Sequence, residues 1–168
     1  MIAHSMRRAT SEVPHRRALA AFLPRDGECL RDLGRWDTSP SLIRANTVLS
    51  EDRTLTTIRP EACQEIFYGD CSDEDSTRAI ARLVPQTAAL GSEAVHTTDA
   101  KFGRIPRVYI ECLQDRANPL AQQRRMYTAV PCERVISMDT SHSPFFSAPE
   151  ELVAQLTSLE RLPRLAHD

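Results

Sequence analysis

Two residues late in the chain have the types and spacing of a catalytic acid and base. Asp115 follows a short apolar run, 108–110, and His142 follows a second run, 134–138, further along the chain. A carboxylate that holds an imidazole fixes its tautomer and stabilises the imidazolium, so that the imidazole can act as general base for a nucleophile. The alternative is that Asp115 only opens the turn leading to Pro119, and that His142 lies in a solvated, serine-rich loop.

The segments around these residues predict how they are positioned. Each run is rich in β-branched or aromatic residues and is followed by a segment of helical period, which indicates strand, loop and helix, repeated. Two such units side by side form a parallel sheet, and the carboxyl ends of its strands face the crevice in which ligands bind. The sequence therefore predicts an α/β fold with a short, mostly parallel sheet and flanking helices, and it places both residues at one edge.

The pattern also predicts the boundaries of these units. We expect strands over 105–112 and 135–138, and a helix after Pro119 that turns residues 122–125 outward. Glu111 lies within a covered parallel strand and therefore needs a partner such as an arginine. Ser147 and Glu150 have the spacing of a capping box, and three leucines in the helix after it should form one stripe: Leu152, Leu156 and Leu159.

Composition excludes several classes of protein. The 168 residues are 41% hydrophobic and 26% charged, which is ordinary for one globular domain. A net charge of -2 gives no electrostatic footprint for nucleic acid. Five cysteines without C-x-x-C spacing indicate reduced thiols and no zinc site. No apolar run is long enough for a membrane span, and we expect a cytoplasmic location.

Several segments of the chain's second half have a specific wording, namely Arg107-Val108-Tyr109-Ile110-Glu111-Cys112-Leu113-Gln114-Asp115, Pro119 with Gln122-Gln123-Arg124, Met138-Asp139-Thr140-Ser141-His142-Ser143-Pro144, and Ala148-Pro149-Glu150. They closely resemble the end of the α/β-hydrolase fold, in the branch of plant methylesterases, hydroxynitrile lyases and bacterial esterases. The resemblance covers roughly residues 18–160 and implies that Asp115, after the seventh strand of that fold, is the triad acid and that His142, after the eighth, is the base. It implies no metal and no organic cofactor.

The resemblance makes Ser5 the candidate nucleophile, although its motif is degraded. Ala3-His4-Ser5-Met6-Arg7 occupies the place of the G-x-S-x-G elbow, in which small residues flank the serine because the turn is tight. Arg7 stands where the second glycine belongs, and too few residues separate Ser5 from the apolar segment 18–24, the expected end of the sixth strand. The alternative is a rearranged amino terminus.

The resemblance also divides the chain into three parts. Residues 1–24 would be a degraded remnant of the hydrolase core, 25–95 a mainly helical lid, and 96–168 the C-terminal part of the core. In the lid we expect a strand over 54–58, a helix after Pro60, and a capping box at Ser72 and Asp75. Two apolar stripes should face inward, namely Ala62, Ile66 and Phe67, then Ile80, Leu83 and Val84. Packing or capping, rather than catalysis, is expected of Tyr68, Asp70 and Cys71.

The implied reaction is hydrolysis of a small carboxylic ester by serine acyl transfer. Ser143 follows His142 where cyanogenic relatives use a lysine, which disfavours the lyase reaction. The strand-three loop that supplies an oxyanion donor in this family is missing, so the chain looks truncated and is expected to be weakly active or inactive by itself. The alternative is a non-catalytic remnant that binds an apolar ligand or pairs with a partner chain, for example a homodimer through an exposed sheet edge. A third expectation is a chain that does not fold alone.

Overall fold

The computed structural model describes residues 16–35 and 41–160, and these form two small sheets with helices around them. One sheet is parallel and lies at the two ends of the described chain, whereas the other is antiparallel and lies between them in sequence. The strands are β1 (Arg16–Leu19), β2 (Thr47–Leu49), β3 (Leu55–Ile58), β4 (Gln86–Thr87), β5 (Arg107–Cys112) and β6 (Arg134–Met138). The helices are α1 (Leu30–Arg35), α2 (Leu42–Asn46), α3 (Pro60–Phe67), α4 (Asp73–Ile80), α5 (Leu120–Ala129), α6 (Pro144–Ser147) and α7 (Pro149–Glu160).

The parallel sheet has the order β1-β5-β6 and confirms the predicted fold class. Its register pairs Ile110 with Leu19 on one side and with Ile136 on the other. Residues 108–112 are all buried, because β5 is the central strand and both of its faces are covered. Asp115 and Thr140 follow β5 and β6, so the loops after the two strands emerge at the same edge.

Two apolar clusters cover the two faces of β5, as the alternation of its side chains requires. Val108 and Ile110 pack with β6 and α7, whereas Tyr109 packs with α5 and with the segment after β1. The predicted leucine stripe of α7 is confirmed, since Leu152 and Leu159 are buried and Leu156 packs against them. The predicted cap is wrong, because Ser147 ends α6 and α7 begins at Pro149.

The prediction of an arginine partner for Glu111 is confirmed, whereas the prediction that Gln123 faces outward is wrong. Glu111 is 2% exposed and has the expected arginine partner, since Arg124 donates to both of its carboxylate oxygens at 3.2 Å. Tyr127 and Ser137 donate to the same carboxylate. Gln123, however, is fully buried rather than turned outward.

The reason for the burial of Gln123 lies in the early end of β1. The apolar segment 18–24 was predicted as strand, but the strand ends at Leu19 and Ala20 adopts a φ of 44°, in the left-handed region. The Ala20 amide still donates to the Ile110 carbonyl, after which the chain turns away from β5. Cys112 therefore has no strand beside it on that side. Instead, the side-chain oxygen of Gln123 accepts the Cys112 N–H, and its side-chain nitrogen donates to the Cys112 C=O.

The segment 25–95, here called the insert, runs from the turn after β1 towards β5 and contains the helices α1 to α4 as well as the antiparallel sheet among its described residues. Its antiparallel sheet has the order β2-β3-β4, of which the sequence predicted only β3. Ser72 caps α4 as predicted, its hydroxyl oxygen accepting the Asp75 amide. The predicted apolar stripe of α4 is wrong, because the helix ends at Ile80, and Leu83 and Val84 are 48% and 76% exposed.

Candidate active site

The loop after β5 holds the carboxylate of Asp115 in one orientation. Its Oδ1 atom accepts the backbone amides of Ala117 and Asn118, both at 2.8 Å, which makes the turn that the sequence predicted as the alternative to a catalytic role. The side chain is fully buried. Because Oδ1 is engaged by the turn, Oδ2 is the atom left to face the neighbouring loop.

The loop after β6 brings His142 to that oxygen. The Nδ1 atom of His142 lies 2.9 Å from Asp115 Oδ2, and the imidazole is 21% exposed. The Asp115 carboxylate therefore closes the turn through Oδ1 and contacts His142 through Oδ2. With Nδ1 donating to Asp115, the ring nitrogen Nε2 keeps a lone pair and is free to take a proton.

The two loops stay together because the sheet's hydrogen bonding continues beyond the strands. The Leu113 amide donates to the Met138 carbonyl and the Gln114 amide to the Thr140 carbonyl. The Gln114 side chain also donates to Asp139 at 2.8 Å. Acid and base are thus separated by one strand spacing, which sets the distance between them.

A buried amide network supports the acid loop from the side of β1. Asn118 is fully buried and donates to the carbonyls of Ala20 and Ala21. Gln123 donates to the Asn118 carbonyl at 2.8 Å as well as to Cys112. The turn at Asp115 is therefore held through Asn118 by the segment after β1 and by Gln123 of α5, which is itself hydrogen-bonded to the end of β5.

The insert contacts the histidine from the other side. The ring of Phe67 lies 5.6 Å from the imidazole of His142, centroid to centroid, and Asp70 accepts the Ser141 amide at 2.8 Å. Arg116, beside the acid, forms an ion pair with Glu65 of α3. The sequence predicted only packing or capping for Asp70. Its place two residues after Tyr68, just beyond the end of α3, gives no local signal of a contact with the loop after β6.

The remaining candidates are placed as follows. Ser5 lies outside the described residues, and the catalytic roles of Asp115, His142 and Ser5 stay predictions. Cys112 lies close to the acid loop, but burial raises the pKa of its thiol to about 11, so it is protonated at neutral pH. No group of side chains suited to a metal ion occurs in the described ranges. Nor does any helix described there have the length and apolarity to cross a membrane.

Comparisons with known proteins give relatives of one kind, although no family model matches the chain. The chain is 31% identical over 118 residues to putative methylesterase 13 of Arabidopsis thaliana, covering 70% of this chain and 25% of that protein. It is 33% identical over 107 residues to pyrethroid hydrolase of Sphingobium wenxiniae, covering 62% of this chain and 38% of that protein. Methylesterase 7 of Arabidopsis thaliana is 36% identical over 103 residues, covering 60% of this chain and 40% of its own length.

Solved structures agree on the fold. A pyrethroid hydrolase from Sphingobium faniae superposes with a TM-score of 0.76 at 24% identity, covering 90% of this chain and 62% of that chain. A methylesterase from Arabidopsis gives a TM-score of 0.70 at 21% identity, covering 96% of this chain and 65% of its own.

The chain thus spans between a quarter and two fifths of the length of these curated relatives. The resemblance predicted from the sequence is confirmed: the chain is a homologue of methylesterases and of pyrethroid hydrolase, and its fold is a part of the α/β-hydrolase fold.

Proposed function

We propose that the chain hydrolyses small carboxylic esters by serine acyl transfer, with His142 as general base, Asp115 as the acid that orients it, and Ser5 as the nucleophile. The observation that carries the proposal is the 2.9 Å contact between His142 Nδ1 and a fully buried Asp115 oxygen, at the ends of two adjacent parallel strands. The ester-hydrolysing relatives named above support the same chemistry.

In this reaction the Ser5 hydroxyl oxygen attacks the ester carbonyl while His142 Nε2 takes its proton. The imidazolium then gives that proton to the leaving alcohol, and an acyl ester remains on Ser5. Water attacks this ester with His142 again as base, which releases the carboxylic acid and restores the serine. Asp115 holds the ring and stabilises its charged form throughout.

The insert is proposed to be a lid over this site, joined to the core segments 1–24 and 96–168. Support comes from Phe67, whose ring packs on the imidazole and restricts the access of water to it. We also propose a cytoplasmic location, since all five cysteines are unpaired, as expected in a reducing compartment.

Hydrolysis of p-nitrophenyl acetate and of short methyl esters by the full chain tests the proposal. We expect His142→Ala and Ser5→Ala to remove turnover, and Asp115→Asn to lower it by roughly 10⁴-fold, because the asparagine favours the wrong tautomer. His96 is a matched control, since it also lies near an acid, 3.8 Å from Asp26, but is 82% exposed. The proposal fails if His142→Ala retains the turnover of His96→Ala.

A non-catalytic role is the second candidate, favoured by two surfaces. In the described part of the chain β1 pairs with β5 on one side only, which leaves an edge to which another strand could add. The insert's sheet also exposes apolar side chains at about 40% each, namely Val48, Leu49 and Leu55. This role predicts no ester turnover together with a mass that rises with concentration in sedimentation velocity.

A further inference from the structure

Four consecutive residues of the insert, Phe67 to Asp70, lie beside residues 141–146, a segment that contains His142. We call these four residues the seam. Its first ring packs on the imidazole, and its second, Tyr68, is 7% exposed and packs edge-on against Phe146 at 6.0 Å. At Gly69 the backbone comes so close that an added Cβ would lie 3.8 Å from the Ser141 Cβ. The seam therefore lies beside the imidazole and beside residues on both sides of His142 in the sequence.

The last residue of the seam makes its polar contact. Asp70 Oδ2 accepts the Ser141 backbone amide at 2.8 Å, and Asp70 Oδ1 accepts the Ser141 hydroxyl. Ser141 is 4% exposed, so its amide has little access to water. Burial raises the pKa of the Asp70 carboxyl, but hydrogen bonds, first among them the two from Ser141, together outweigh burial and leave the pKa below its ordinary value. The carboxylate form is thus the one that the contact favours.

The position of Ser141 explains why this contact matters for the site. Strand-type hydrogen bonding from the acid loop ends at the Thr140 carbonyl, two residues before His142. The N–H of that same Thr140–Ser141 peptide is held by Asp70, which is 71 residues away in sequence and also accepts the Ser141 hydroxyl. Since the imidazole reaches Asp115 from the Cα of His142, a shift of that peptide would move Nδ1 relative to Oδ2.

We propose that Asp70 is a positioning residue, which sets the place of His142 by accepting both polar hydrogens of Ser141. The consequence for turnover depends on the proposed ester hydrolysis, whereas the consequence for the geometry of the imidazole does not. Asp70 acts here as an acceptor with fixed geometry rather than as a charge. An asparagine at 70 can accept the Ser141 amide through its oxygen and donate to the Ser141 hydroxyl through its nitrogen, so it should keep the position.

Three variants of the full chain test this role. Asp70→Ala should lower kcat by about 10- to 100-fold with little change in KM, because a displacement of about 1 Å at a catalytic group costs on the order of 100-fold. Asp70→Asn should restore most of that loss. Glu65→Ala is the matched control, since it also removes a carboxylate that joins the insert to the core, but from an exposed ion pair with Arg116. It should behave as the parent chain.

A second readout makes failure of the role distinguishable from failure of the proposed function. In ¹⁵N-labelled chain, the ring nitrogens of His142 report the Nδ1–H tautomer and its bond to Asp115. We expect this signature in the parent, in Asp70→Asn and in Glu65→Ala, and its loss or averaging in folded Asp70→Ala. If the parent has no turnover, the ester proposal fails and the spectra alone decide the role. Unchanged His142 signals in folded Asp70→Ala would overturn the role, whatever the turnover.

Discussion

Replacement of Gln123 by alanine should destabilise the fold severely, although Gln123 lies on a helix between residues that face solvent. Its side-chain amide accepts the Cys112 N–H at 3.1 Å and donates to the Cys112 and Asn118 carbonyls at 3.0 and 2.8 Å. These hydrogen bonds take the place of those that a longer β1 would make to β5, because the chain turns away from β5 at Ala20. Alanine would leave two buried backbone groups without this partner, the Cys112 N–H and the Asn118 C=O, whereas the Cys112 C=O would keep the Asp115 amide at 3.3 Å.

The magnitude follows from those orphaned groups. A buried donor or acceptor left unsatisfied costs about 1–3 kcal/mol, and at least two such backbone groups are affected. We therefore expect Gln123→Ala to lower the free energy of unfolding by about 3–5 kcal/mol. For a domain whose total stability is typically about 5–15 kcal/mol, that is a large share.

Urea unfolding followed by far-ultraviolet circular dichroism measures the effect. Gln122→Ala is the matched control. Gln122 directly precedes Gln123 within α5, and its side chain makes no hydrogen bond within the described ranges. It should change the stability by no more than about 0.5 kcal/mol. At an m-value of about 2 kcal/mol/M, Gln123→Ala should lower the midpoint by roughly 2 M. Equal midpoints for the two variants would refute the reasoning.

Other consequences are smaller or concern pH and reactivity. Glu111→Ala should cost about 1–3 kcal/mol in the same assay, since its partners are half-exposed and regain water; no loss would show that the carboxylate is dispensable. Burial raises the pKa of both Cys71 and Cys112 to about 11, so iodoacetamide at pH 8 should modify them slowly in folded chain and quickly in urea; fast native labelling would contradict this. The pKa of Asp70 is lowered, so its ionised form stabilises the fold above 3.8 and this contribution is lost as pH falls through the lowered value. The melting-temperature difference between the parent and Asp70→Asn should therefore be constant above about pH 5 and shrink below 3.8, and a difference that grows on acidification would be contrary.

The sequence predicted those parts of the fold whose cause is local. The run 108–110 is apolar on both faces because β5 is central, and that pattern is visible in the residues themselves. The leucine stripe of α7 and the cap at Ser72 are equally local, and the structure confirms both. The strand-end positions of Asp115 and His142 followed from the order of strand, loop and helix.

Several features that the sequence did not reveal have causes that are not local. The burial of Gln123 depends on a turn at Ala20, about a hundred residues earlier, which no helical periodicity can reveal. The contact of Asp70 with Ser141 likewise spans 71 residues. The short strands β2 and β4 carry no alternation that could be read, since Thr47–Leu49 and Gln86–Thr87 are exposed throughout.

We propose above that His142, held by Asp115, activates Ser5 for acyl transfer. Fluorophosphonate labelling of the folded chain, with the modified residue identified by mass spectrometry, tests it most directly, because the probe reacts only with a serine whose proton is being removed. We expect an adduct on Ser5 that persists in His96→Ala and disappears in His142→Ala. Folded chain without an adduct, or with the same adduct in His142→Ala, would contradict it.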